Sequence, residues 1–217
     1  MIRLLPESRW AWIRAGVIVS ALVAVCAYRN VFALVQLLSY QPREGDIVFQ
    51  SLPREELVDA IEGITQSPWS HCGIIRETNE GFVVVEAIGK VRETPLSQWV
   101  MRGRKGCFEA YRLAVPWPGD RSVFLTALDR YMGRPYDIHY EPDDSEIYCS
   151  ELVYKAFYDG LGLGLAEWQP LGALNWQPFE KFIRVMEDGA LPLERSMITP
   201  DALARSKHLK RVYPDAH

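Results

Sequence analysis

Residues 70–88 read SHCGIIRETNEGFVVVEAI. Two apolar runs, Cys72 to Ile75 and Phe82 to Ile88, flank the polar stretch Arg76 to Gly81, and this arrangement predicts an antiparallel β-hairpin. Centring the turn between Thr78 and Asn79 opposes Ile75 to Phe82 and His71 to Glu86. Directly opposed residues hold their Cβ atoms about 4.5–5.5 Å apart, close enough for a carboxylate to accept from an imidazole N–H. Glu86 is the one acid within FVVVEAI, and a carboxylate on an otherwise apolar strand needs a partner. The pair is readable as a structural ion pair or as half of a catalytic site. Alternation along the strand sends Cys72 to the other side of the sheet, into the core.

The other half is sought among nucleophiles. Thiol catalysis requires a cysteine where the thiolate is favoured, a histidine to take the proton and a third polar group to fix the histidine tautomer. Cys149 lies just ahead of a helix opening Ser150-Glu151-Leu152, where unpaired N–H groups and the helix dipole favour an anion. Asp143, Asp144 and Glu146 act against the thiolate and make a cationic histidine more necessary. His139 competes with His71 as base, and His208 and His217 sit in the tail without a partner.

Working outward, Gly45-Asp46 opens a strand at Ile47-Val48-Phe49. Leu57, Val58, Ile61 and Ile64 recur at helical spacing, predicting a helix over Glu55 to Thr65. Thr94-Pro95 reads as an N-cap followed by proline at the first helical position, and Phe108 to Leu113 as a strand. Further helices follow at Val123 to Tyr131, after Cys149 to Leu161, at Phe179 to Met186 and from Thr199-Pro200 to Arg205. Strands grouped between helices predict an α+β fold with an antiparallel sheet rather than a βαβ array.

The chain has 217 residues and a formal net charge of −4. Residues 1–40 hold Arg3, Arg9, Arg14 and Arg29 against Glu7, so the stretch from Gln41 onward carries 20 basic and 27 acidic residues. That balance argues against nucleic acid as a partner. The uncharged run AGVIVSALVAVCAY, Ala15 to Tyr28, predicts a membrane anchor over residues 1–40, preceding a single domain over 41–217. Three arginines before the run place the N-terminus in the cytoplasm and the acidic body on the extracytoplasmic side. The alternative is a secreted protein cut after Ala27, with small residues at the two recognition positions. No GxSxG, HExxH, Walker loop or CxxC is present. His71, Cys72, Cys107, His139 and Cys149 lack zinc-ligand spacing, so neither a metal nor another cofactor is expected.

With these residues assembled, the sequence resembles the circularly permuted papain-like hydrolases of the NlpC-type superfamily, in particular the YiiX-like permuted amidases. The resemblance is carried by Gly45-Asp46-Ile47-Val48-Phe49, Ser70 to Ile75, Val85-Glu86-Ala87-Ile88-Gly89 and Thr94-Pro95-Leu96. Gly133-Arg134-Pro135-Tyr136-Asp137, Tyr148 to Val153 and Leu191-Pro192-Leu193-Glu194 through Thr199-Pro200 complete it. It implies a papain-like antiparallel sheet packed against a nucleophile-bearing helix, with Cys149 as nucleophile, His71 as base and Glu86 as orienting acid. Tyr148 matches an aromatic position of the motif and is assigned to substrate binding. The substrate implied is a cell-wall peptide amide or a lipid-linked acyl group. An acyltransferase and a non-catalytic lipid- or peptide-binding protein on the same fold are the rivals. Trp168, Leu171, Leu174 and Trp176 suit an apolar lid or ordinary core, and the acidic loop before Cys149 suits a cationic amine. The sequence does not fix an oligomeric state.

Overall fold

The structure, a computed structural model, describes residues 14–15, 17–18, 20, 31–141 and 143–214. A six-stranded antiparallel sheet runs in the order β4-β3-β2-β1-β5-β8. These strands are β1 (Ile47–Gln50), β2 (His71–Thr78), β3 (Gly81–Ile88), β4 (Lys90–Pro95), β5 (Glu109–Leu113) and β8 (Leu209–Tyr213). A two-stranded ribbon pairs β6 (Gln169–Pro170) with β7 (Ser196–Met197). Helices α1 (residues 31–39), α2 (Glu56–Thr65), α3 (Leu96–Arg102), α4 (Arg121–Asp129), α5 (Cys149–Leu161), α6 (Glu180–Met186) and α7 (Pro200–Ala204) surround the main sheet.

Strand alternation divides the core in two. Ile47, Phe49, Cys72, Ile74, Val85 and Ala87 point to one side, where Leu152, Val153, Ala156 and Phe157 of α5 cover them together with Phe124 and Leu128 of α4. Val48, Ile75, Val84 and Ala110 point to the other, under Leu96, Trp99 and Val100 of α3. The central strands are therefore buried on both faces, which is why their sequences are almost continuously apolar.

The predicted α+β class and antiparallel sheet are present. Helix α4 is capped by Asp120, whose side chain accepts from Ser122 N–H, and α7 by Thr199, which accepts from Ala202 N–H. Thr94 does not cap α3. It lies within β4, and the helix starts at Leu96 after Pro95.

The end of the N-terminal segment is built into the body. Ala33 and Tyr40 are buried in the core under α3, and Tyr40 donates to Asp46 Oδ2 at 2.7 Å. Of the expected anchor, Ala15 to Tyr28, ten of the fourteen residues lie outside the described ones. Among the described residues no helix is long and apolar enough to cross a membrane.

Candidate active site

Helix α5 begins at Cys149 itself, with Tyr148 as the extended N-cap residue. Its apolar positions face the sheet, and this docking buries Cys149 to 3 % exposure beside β2. Cys149 thus occupies a helix N-terminus where backbone N–H groups have no helical partner.

Glu86 is fully buried, and every hydrogen bond it accepts comes from a named neighbour. His71 Nε2 lies 2.5 Å from Oε2, Thr94 Oγ1 donates to Oε1 at 2.6 Å, and Arg102 Nη2 also reaches Oε2. Burial pushes the Glu86 carboxyl up, yet the bonds from His71, Arg102 and Thr94 outweigh it and hold the pKa down at about 2. With Nε2 committed to Glu86, Nδ1 is the imidazole nitrogen left for Cys149.

The hairpin register differs from the sequence reading by two residues. The pairs Ile74↔Val85 and Thr78↔Gly81 centre the turn between Asn79 and Glu80, so the same register carried to its end sets His71 opposite Ile88. A shift of two conserves the face of every side chain. His71 and Glu86 therefore still meet, along the diagonal rather than straight across.

Cys149 packs with Cys72 in the core cluster under α5 and is near enough to His71 for each to shift the other's titration. The Cys72 side chain is the largest influence holding the Cys149 thiol well below its usual range; burial opposes it, and His71 adds to the lowering. Burial pushes His71 down, but its contacts with Cys149 and Glu86 dominate and raise its pKa to about 9. Burial, first, and the neighbouring Cys149 keep Cys72 protonated, as a thiol that can donate to a thiolate. Alternation does place Cys72 on the side opposite His71, as the sequence reading has it. That side is also where α5 brings Cys149, so Cys72 is core and active-site neighbour at once.

A cleft enclosing about 770 Å³, counted to its open mouth, has Cys149 in its wall. Leu57, Ile61 and Ile64 of α2 form one side and Phe182, Ile183 and Met186 of α6 the other, with Leu171 and Ile198 between them. Charge enters the lining at Arg195, His139 and Glu187. Arg195 is paired with Glu187 at 2.6 Å, and His139 Nδ1 lies 3.7 Å from the same carboxylate, so His139 serves Glu187 rather than Cys149.

Tyr148 does not line this cleft. It is 1 % exposed, and its hydroxyl accepts from Ile198 N–H at 3.0 Å. Tyr140, its ring tilted 45° against that of Tyr148 with centroids 4.5 Å apart, lines the cleft instead, and among the described residues its buried hydroxyl has Tyr136 as its polar side-chain neighbour. Nothing in the sequence marked Tyr140; its position depends on a loop residue at φ +57°, a conformation that local pattern does not foretell. Of the expected lid, only Leu171 reaches the cleft, while Trp168 packs edge-on against Tyr154. The acidic loop is turned elsewhere: Asp144 pairs with Lys155, and Asp143 accepts from Ser145.

A Cys-His-Glu constellation at the N-terminus of a helix packed on an antiparallel sheet, with histidine before cysteine in the chain, defines a permuted papain-like protein. Residues 41–213 match the family described as permuted papain-like amidase enzymes, YaeF/YiiX, C92 family, and the chain belongs to it. It is 32% identical over 181 residues to the uncharacterized protein YiiX of Escherichia coli K12, covering 82% of this chain and 89% of that one. It is also similar to the crystal structure of metalloprotein yiiX from Escherichia coli O157:H7, with a TM-score of 0.76 and 32% identity, over 80% of this chain and 97% of that one. Among the described residues here, no group of three or more His, Cys, Asp or Glu side chains gathers to hold a metal ion.

Proposed function

We propose that the protein is a cysteine amidase that hydrolyses a lipid-linked acyl group at the cell envelope. The observation that carries this reading is the apolar lining of the cleft beside a thiol that Cys72 and His71 push well below the usual thiol range. Cys149 thiolate attacks the acyl carbonyl, forming the C–S bond and an oxyanion. The Cys149 backbone N–H and the Tyr140 hydroxyl, both at the cleft, are the donors at hand for that charge. His71, protonated and held by Glu86, gives its proton to the leaving nitrogen as the C–N bond breaks. In the second half His71 takes a proton from water, the resulting hydroxide attacks the thioester, and the carboxylic acid leaves with the thiolate restored.

The anchor reading belongs to the same proposal: the run Ala15 to Tyr28 tethers the body to the membrane, on the extracytoplasmic side. A peptide substrate has less to recommend it, because seven apolar side chains from α2 and α6 line the cleft, whereas Arg195 and Glu187 in its wall are already paired.

An acyl-chain series tests the substrate. With one leaving amine and chains of increasing length, each buried methylene is worth about 0.8 kcal/mol, so kcat/KM rises roughly fourfold per carbon until the cleft is filled. Turnover that is flat with chain length, or faster with a polar peptide, rejects the acyl assignment while leaving Cys149 chemistry standing.

A further inference from the structure

Helix α1 has two faces of different fate. Ala33 is buried against the turn at Gly106, where an added Cβ would lie 3.0 Å from the Ala33 Cβ. Gln36 and Ser39 both meet the hydroxyl of Tyr213. Val31, Leu34, Val35 and Leu38 point outward at 60, 54, 55 and 78 % exposure. Their spacing of three, four and seven residues makes one continuous apolar stripe, on a helix that side-chain contacts fix to the catalytic body.

The direction of α1 adds a second fact. Its last turn leads to Tyr40, which binds Asp46 at the entrance to β1. Its first turn lies at Gly106, and Arg104 N–H of the same turn donates to Ser51 O just past the end of β1. That is the end of the sheet where Gln50 pairs with His71. Arg104 also forms a two-bonded ion pair with Glu62 of α2, the helix that walls the cleft. The first turn of α1 therefore lies beside the catalytic end.

We infer that the stripe Val31, Leu34, Val35 and Leu38 is a bilayer-contact surface, and that it brings the catalytic end of the sheet against the lipid. The committed occupant is phospholipid. The apolar run Ala15 to Tyr28 lies immediately upstream on the same chain, and the exposed Lys105, next to the glycine that Ala33 touches, suits anionic headgroups. Only Arg29 and Asn30 separate that run from α1, so the substrate reaches Cys149 from the membrane surface. This inference rests on the anchor reading above.

The test uses the full-length protein reconstituted into phosphatidylethanolamine/phosphatidylglycerol vesicles. A photocrosslinking p-benzoylphenylalanine replaces Leu38, Arg54 at the catalytic end, or Glu80 at the opposite tip of the β2–β3 hairpin. Phospholipid adducts at positions 38 and 54, with none at 80, are the expected result. A crosslinked dimer through position 38 makes a second copy the occupant and overturns the inference. Vesicle-bound protein with no lipid adduct at 38 overturns it while leaving the anchor intact, whereas protein that does not sediment with vesicles rejects both. Adducts at 80 in place of 54 reverse the orientation and overturn its second part.

Discussion

Glu86 Oε2 lies 2.5 Å from His71 Nε2 although the two residues are diagonal rather than opposed across the β2–β3 ladder. The diagonal passes over Gly73. A Cβ there would meet Val84 Cγ1 at 2.5 Å, Val85 O at 2.8 Å and Glu86 Cβ at 3.3 Å. The close approach of β2 and β3 beneath this ion pair requires glycine.

Gly73→Ala is accordingly expected to push β3 outward and separate the acid from the base. Two of the three contacts are below any normal Cβ distance and one of those is with backbone, so relief must come from strand movement. The variant should lose about 1–3 kcal/mol of stability by chemical denaturation and most of its activity at temperatures where it is still folded. Full activity in a folded Gly73→Ala protein would show that the diagonal geometry is dispensable.

Glu86→Gln keeps the shape of the side chain and removes the charge. His71 then loses the anion that helps to raise its pKa, and the alkaline limit of activity moves to lower pH, with kcat reduced roughly 10- to 100-fold. Thr94→Val removes one of the bonds to Glu86 Oε1 and should act in the same direction but more weakly. Both effects are read from pH profiles of kcat.

Cys72 supplies a prediction that its place in the core alone would not suggest. If its S–H steadies the Cys149 thiolate, Cys72→Ala raises the apparent thiol pKa of Cys149 and Cys72→Ser restores much of it. Ultraviolet absorbance of the thiolate, followed against pH in each variant, separates this from a general loosening of the core, which would affect both variants alike.

Stability should vary with pH in a way set by the buried pair. His71 is raised from 6.5 to about 9 by folding, so its contribution is complete below pH 6.5 and disappears as pH climbs through about 9. Glu86 is lowered from 4.5 to about 2, so its contribution is complete above pH 4.5 and is lost as pH falls through about 2. Between those limits the two together give a plateau in Tm. Glu86→Gln should remove the acidic slope of this pair and weaken the alkaline one, as measured by thermal melts in matched ionic strength.

Much of the site was legible because period-2 alternation is robust to small errors. Placing the hairpin turn one residue early displaced the register by two, which preserved the shared face of His71 and Glu86. Cys149 was legible from its position before an amphipathic helix. The supports of Glu86 were not, since Arg102 arrives from the far end of α3 and Thr94 looked like a helix cap in a Thr-Pro pair. Nor was the proximity of Cys72 to Cys149, because alternation tells which side of a sheet a residue takes but not what a distant helix brings there. The cleft is assembled from α2, α6 and the segment around Ile198, elements far apart in sequence whose apolar faces individually read as ordinary core.

On the proposed mechanism, Cys149 is a thiolate activated by His71. Limiting iodoacetamide labelling of the full-length protein from pH 5 to 9, mapped by mass spectrometry in wild type and His71→Ala, measures it directly. Cys149 should be alkylated well below about pH 8.5, ahead of exposed Cys107 and buried Cys72, and His71→Ala should shift this reactivity upward in pH. Labelling of Cys149 no faster than that of Cys107, and unchanged by loss of His71, would contradict it.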